Sequence, residues 1–191
     1  MRRTFISILR ALAQLAREPL SNNLRSAIER TYSLRETINS SFNKVRSLAD
    51  GVLFEFGPSR TQDLALRSRI IGWQPPLRML FVTRIALLKY RLQLPGFELP
   101  ERVRVAQREF DERLARALDG MADQWEGKPR QGTESLEVTL PRPEETAETF
   151  GSTEAQAALS AHLQTFLILL RRIESLAVSL NKEILAPINH S

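Results

Sequence analysis

The chain has 191 residues, 42% hydrophobic and 26% charged, which is the make-up of a single globular domain with a sizeable core. It contains no cysteine and only two histidines, His162 and His190. That excludes disulfides, thiolate metal sites and a cysteine nucleophile, and leaves the histidines too few and too far apart for a helical metal pair. The formal charge of +5 is unevenly divided: residues 1–100 carry 16 Lys and Arg against 7 Asp and Glu, and residues 101–191 carry 11 against 15. A basic first half can face phosphate, on lipid or nucleic acid, or the acidic second half of the same molecule.

In chain order, residues 3–17 place Phe5, Ile8, Leu9, Leu12, Leu15 and Ala16 on one stripe, with Arg10, Gln14 and Arg17 elsewhere. This predicts an amphipathic helix within residues 1–18, ending before Pro19. The stripe can pack on the rest of the bundle. Alternatively the helix lies at a membrane surface, and then Arg2, Arg3 and Phe5 are its membrane-proximal residues. A secretory signal is not expected, because Arg10 and Gln14 break the apolar run and no small-residue cleavage site follows.

Residues 21–56 read as one long helix, capped by Ser21, Asn22 or Asn23 and starting on a face of Leu24, Ala27, Ile28 and Tyr32. Ile38, Phe42, Val45, Ala49, Val52 and Phe56 then recur at alternating steps of four and three. Gly57-Pro58 ends the helix and Ser59 caps the next one, with Asp63 in its first turn. That next helix, residues 60–93, should fold back antiparallel. Pro75-Pro76 predicts a kink or break near Trp73 and Gln74, after which Phe81, Ile85, Leu88 and Leu92 restore helical spacing. Leu94-Pro95-Gly96-Phe97 is a type II turn signal.

Pro100 opens a helix over residues 101–126 with the stripe Val103, Ala106, Phe110, Leu114, Ala117, Leu118, Met121 and Trp125. Residues 127–152 differ in composition, with Pro129, Pro141 and Pro143 and five acids between Glu134 and Glu148, and are expected to form a mobile acidic connection. The last segment, residues 153–186, carries Leu159, Leu163, Phe166, Leu170, Ile173, Ala177, Leu180 and Ile184 at the same four-and-three spacing as residues 38–56. Those two matching seams should pack along each other. The predicted fold is all-α: one domain, residues 1–191, built as an antiparallel bundle of long helices with a kinked helix at Pro75-Pro76.

Motif signals are sparse. No phosphate loop, dinucleotide fingerprint, paired zinc ligands or nucleophile elbow is present, so no catalytic, cofactor-binding or metal residue is assigned and no enzyme is expected. Glu109, Asp111 and Glu112 sit beside Arg108 and Arg113, where exposed ion pairs are expected. Arg171-Arg172 is expected on an exposed face. The aromatics fall on core stripes rather than among the basic residues, so no nucleic-acid partner is expected. Arg78, Arg84, Lys89 and Arg91 interrupt the most apolar stretch, residues 77–94, so no membrane span is expected.

Three stretches carry a resemblance: YSLRETINSSFNKVRSLADGVLFEFGPSR (residues 32–60), LFVTRIALLKYRLQLPGFELP (residues 80–100) and FDERLARALDGMADQWEGK (residues 110–128). Together they resemble the fusaric acid resistance or aromatic acid exporter (FUSC) family of bacterial membrane proteins. The resemblance implies an exporter of aromatic acids and related compounds, with a hydrophobic membrane bundle and helical cytoplasmic regions. Lacking a span, this chain would correspond to a soluble cytoplasmic portion at the inner membrane, with a structural, assembly or gating role. Its partners would be a membrane-embedded portion of the same or another chain, or a second copy of itself. Arg2 and Arg3 would then suit residues on the cytoplasmic side of a span. A free-standing helical interaction module and a membrane-surface helical protein are the alternatives.

Overall fold

The structure is a computed structural model, and it describes residues 1–18, 24–54, 56–92, 99–128 and 154–185. The expected Ser21 to Asn23 cap, the turn at Leu94 to Phe97 and the acidic connection from residue 129 onward lie outside these residues. So do the side chains of Leu24, Ala27, Ile28, Leu92 and Leu159.

Every regular element among the described residues is helical. Helix α1 spans Arg2–Arg17, α2 Leu24–Gly51, α3 Arg60–Leu92, α4 Glu101–Glu126 and α5 Glu154–Leu185, with a 3-10 turn at Val52–Phe54. Local chemistry sets the ends. Gly127, at φ 82, occupies the left-handed position after α4, and Lys128 N–H donates to the Asp123 carbonyl while Gly127 N–H donates to that of Gln124. Two of the orphan carbonyls of the last turn are thereby satisfied. At the start of α3 the Ser59 carbonyl accepts the first helical hydrogen bond, from Asp63 N–H.

Two boundaries differ from expectation. Regular α2 ends at Gly51, and the chain reaches the turn through the 3-10 segment; Gly57, at φ 151, makes the bend. Val52 is still buried, but Phe56 and Tyr32, both placed on the core face by spacing, are exposed. In α3 the Pro75-Pro76 pair causes no break: the helix is continuous from Arg60 to Leu92. Each proline removes a backbone donor, yet Ile70, Trp73, Leu77, Leu80 and Phe81 are buried on both sides of the pair. Tertiary burial on that scale outweighs the helix-breaking tendency.

Helix α1 touches α4 most extensively, then α2, then α3, while α5 packs on α3 and α4 without reaching α1. Its buried set, Phe5, Ile8, Leu9, Ala11, Leu12, Ala13, Leu15 and Ala16, is wider than the single predicted stripe. Ala11 and Ala13 are small enough to let neighbouring helices approach on the flanks. Directions follow from matched contacts. Phe5 lies against Trp73 and Ala16 meets Arg84, so α1 and α3 run the same way, eleven residues apart on each. Arg2 meets Trp125 while Arg17 meets Glu112, so α4 runs against α1. Arg67 donates to the Ala49 carbonyl and Arg78 to Asn43 Oδ1, so α2 folds back on α3 as expected. Tyr90, near the end of α3, meets His162, near the start of α5, and the two helices pack extensively, which sets α5 antiparallel to α3.

The expected pairing of the two matching seams does not form. Among the described residues α2 approaches α1 and α3 but not α5, and α5 packs on α3 and α4. The α2 seam of Ile38, Phe42, Val45 and Ala49 and the α5 seam of Leu163, Phe166, Leu170, Ile173, Ala177, Leu180 and Ile184 are both buried, against different partners. Four-and-three spacing defines a face that needs cover; it does not name the cover.

Candidate functional site

The least expected chemistry lies between α1, α3 and α4. Arg84 is 1% exposed, on the core face of α3 between Leu80 and Leu88. Its two terminal nitrogens reach both oxygens of Asp111 on α4, Nη1 to Oδ1 at 2.6 Å and Nη2 to Oδ2 at 3.0 Å. Nη2 also donates to the Ala16 carbonyl at 3.0 Å. That carbonyl is in the last turn of α1, where backbone acceptors lack intrahelical partners, so Arg84 both caps α1 and complements the negative end of its dipole. Gln107, one turn before Asp111, donates to Asp111 Oδ2 at 3.2 Å. One guanidinium thus ties three helices together.

Asp111 had been expected in an exposed pair with its sequence neighbours; it is 9% exposed and paired across helices instead. Burial pushes its carboxyl above the ordinary carboxylate range, against the opposing charge and hydrogen bonds of Arg84. The signal was readable in principle. Arg84 falls in the phase of Leu77, Leu80, Phe81 and Leu88, and Asp111 in the phase of Gln107, Leu114, Ala115 and Leu118. Opposite charges on the core faces of two helices mark a buried pair.

A second network joins α1 to α4 at the surface. Arg10 Nη1 lies 2.9 Å from Asp119, and its Nη2 lies 2.6 Å from Asp123 and 3.4 Å from Glu126. Arg17 meets Asp119 at 2.7 Å and Glu112 at 3.8 Å. Lys128 closes the row on Asp123 and Glu126. Here bases of the first half do face acids of the second, the intramolecular use of the charge imbalance. The Arg10 hydrogen bond holds the Asp123 carboxyl below its ordinary value, and Lys128 does the same for Glu126. Carboxyls lowered on folding stabilise the fold above their unfolded values and cease to do so as pH falls through the folded ones. Asp111, shifted upward, acts in the opposite sense, so the network is best isolated by difference. The stability gap between the native chain and Arg10→Gln should be about 1 kcal/mol at neutral pH and shrink below about pH 4, as read by urea denaturation across pH. A gap independent of pH would discount the network.

The predicted membrane-proximal residues are split by the fold. Phe5 is fully buried, with its ring centroid 5.6 Å from Trp73 and 5.2 Å from Trp125, and the two indoles meet edge-on at 5.3 Å. It reaches no lipid in this arrangement, and neither do Ile8, Leu9 and Leu12 behind it. Arg2 and Arg3 are exposed. Arg2 sits over the Trp125 ring and donates to its carbonyl. Arg171 and Arg172 are exposed as expected. The Tyr90 hydroxyl and His162 Nδ1 are hydrogen-bonded at 2.8 Å, and the hydroxyl also lies 3.3 Å from the His162 carbonyl, while His190 lies outside the described residues.

No group of His, Asp and Glu among the described residues is placed to hold a metal ion. No described helix is long and apolar enough to cross a membrane. Compared with protein-family models, curated proteins and solved structures, the chain matches none. Among the described residues, fold and site define an all-α bundle in which a buried ion pair ties α1, α3 and α4 and a surface network joins α1 to α4.

Proposed function

We propose that the chain is the helical cytoplasmic portion of a FUSC-type exporter, serving assembly or gating at the inner membrane rather than catalysis. The observation that carries this reading is the resemblance in residues 32–60, 80–100 and 110–128. Part of the locking set lies within that text, Arg84 in the second stretch and Asp111, Asp119 and Asp123 in the third, while Arg10 and Arg17 lie outside it. A mechanical role suits the packing. Arg2 and Arg3 are the first residues of α1, the helix that contacts α2, α3 and α4, and Arg84, Arg10 and Arg17 hold α1 to its neighbours. In this reading a displacement of α1 would bear on α2, α3 and α4 together, the helices it touches. The partner would be the membrane-embedded part of the same or an adjacent chain.

Sequencing the encoding locus tests the reading. The expected result is a hydrophobic membrane bundle of FUSC type, either in frame upstream of Met1 or in the neighbouring gene. A locus that encodes this chain with no such bundle overturns the proposal.

A further inference from the structure

Four-and-three spacing occurs a third time in this chain, on the outside. Along α3, Ala65, Ser68, Gly72, Pro75, Met79, Val82 and Ala86 follow one another at alternating steps of three and four, which sets them on one helical face. The described neighbours of α3 take its other sides and leave this one open. Ala86 is half-buried and the rest are exposed, Val82 at 56% and Met79 at 40%. None of them is charged. Arg78, beside the face, turns away from it, its guanidinium 4.8 Å from the centre of the Phe42 ring and hydrogen-bonded to Asn43 of α2. The outer faces of the other long helices differ, with Arg35, Glu36 and Lys44 exposed on α2, Arg108 and Glu112 on α4, and Arg172 on α5. In this chain the other two seams of such spacing are buried against helices, and an uncharged seam on the far side of α3 calls for the same cover.

The order of sizes along the face names the cover. Its first half is small, with Ala65, Ser68 and Gly72, and its second half carries the two bulkiest flexible side chains, Met79 and Val82. When a second α3 is laid against it antiparallel, with a two-fold axis level with Leu77, Pro75 stands opposite Met79, Gly72 opposite Val82 and Ser68 opposite Ala86. Bulk on each copy then meets a small residue on the other. Gly72 has the room, since nothing lies within 4 Å of where its Cβ would be. A parallel pairing sets Met79 on Met79 and Gly72 on Gly72, crowding one level and emptying the other. The antiparallel one also keeps the two Lys89 side chains about 36 Å apart along the axis, beyond the Debye length. Among the described residues, no other exposed helical face offers an uncharged seam of this length to pair with it. We propose that the chain forms a two-fold dimer through the outer face of α3, the two helices antiparallel and centred level with Leu77. From Ala65 to Ala86 is about 32 Å, and a helix about 10–12 Å wide presents roughly 350 Å² over that length. Two copies bury roughly 700 Å², below the roughly 1,200 Å² of a stable interface, so the dimer is reversible and dissociates in the range of about 100 µM. This goes beyond the exporter reading and does not rest on it.

Sedimentation equilibrium of the whole chain from about 10 µM to about 1 mM tests the association, and a monomer–dimer equilibrium is expected. Met79→Glu/Val82→Glu, at exposed positions that leave the melting midpoint in place, should weaken it at least about tenfold by bringing unpaired charge into the seam. Because the native chain has no cysteine, single cysteines read the orientation. Ser68→Cys and Ala86→Cys stand opposite one another across the two-fold, whereas like positions are about 27 Å apart, too far to bridge. Under diamide, a mixture of the two variants should therefore give a disulfide-linked dimer that neither gives alone. A chain that stays monomeric up to about 1 mM overturns the proposal and leaves the face to a different partner. Association unaffected by the double glutamate substitution overturns it too, as does cross-linking of either cysteine variant by itself as readily as in the mixture.

Discussion

Asp111→Ala is expected to destabilise the bundle by about 3–5 kcal/mol, because it leaves the Arg84 guanidinium buried beside α1 and α4 without its counter-ion. The Ala16 carbonyl remains as a partner but carries no full charge. Replacing both members by apolar residues of similar volume, Arg84→Met with Asp111→Leu, removes the uncompensated charge along with the pair. That double variant is expected to fall between neutral and about 1–4 kcal/mol more stable than the native chain. Urea denaturation followed by circular dichroism measures both. A single substitution costing under about 1 kcal/mol, or a double one as damaging as the single, would show that the pair is not the clamp described here.

Phe5→Ala should cost about 3–5 kcal/mol, the usual range for truncating a buried phenylalanine. The ring is 0% exposed and fills the angle between Trp73 and Trp125, so its loss opens a cavity lined by two indoles from different helices. For a domain of this length that corresponds to a fall in melting midpoint of about 10 °C. Arg2→Ala, at the exposed rim of the same cluster, should cost no more than about 1 kcal/mol. The contrast separates two roles for the N-terminal helix. A core helix loses stability at Phe5, whereas a helix laid on lipid would lose vesicle binding there with its melting midpoint unchanged.

Much of the helical plan could be read from residues alone, and the reason is local. The α4 limits at Pro100 and Gly127 depend on φ preferences and on orphan backbone groups, which one or two side chains decide. The turn at Gly57 to Ser59 is of the same kind, although the 3-10 segment before it removed Phe56 from the core face. Of the kink or break expected at Pro75-Pro76, the break does not form: it concerns two hydrogen bonds, and the burial of Trp73, Leu77, Leu80 and Phe81 concerns many more contacts. The clamp was half legible, since Arg84 and Asp111 each interrupt an apolar phase. Only their distance, across 27 residues and two helices, shows that each answers the other.

By itself the sequence determined that this chain makes long amphipathic helices, where most of them begin and end, and that cysteine chemistry is absent. The tertiary structure decided the neighbours. Residues 38–52 and 163–184 carry matching seams, yet α2 seals its seam on α1 and α3 while α5 takes α3 and α4. It also decided that α1 is a central helix with Phe5 among indoles, and that Leu53, Phe54 and Phe56 stand uncovered at the bundle's end. The physical reason is that helical periodicity depends on residues three and four apart. Burial depends on which distant surfaces fit together, and one helix does not encode that.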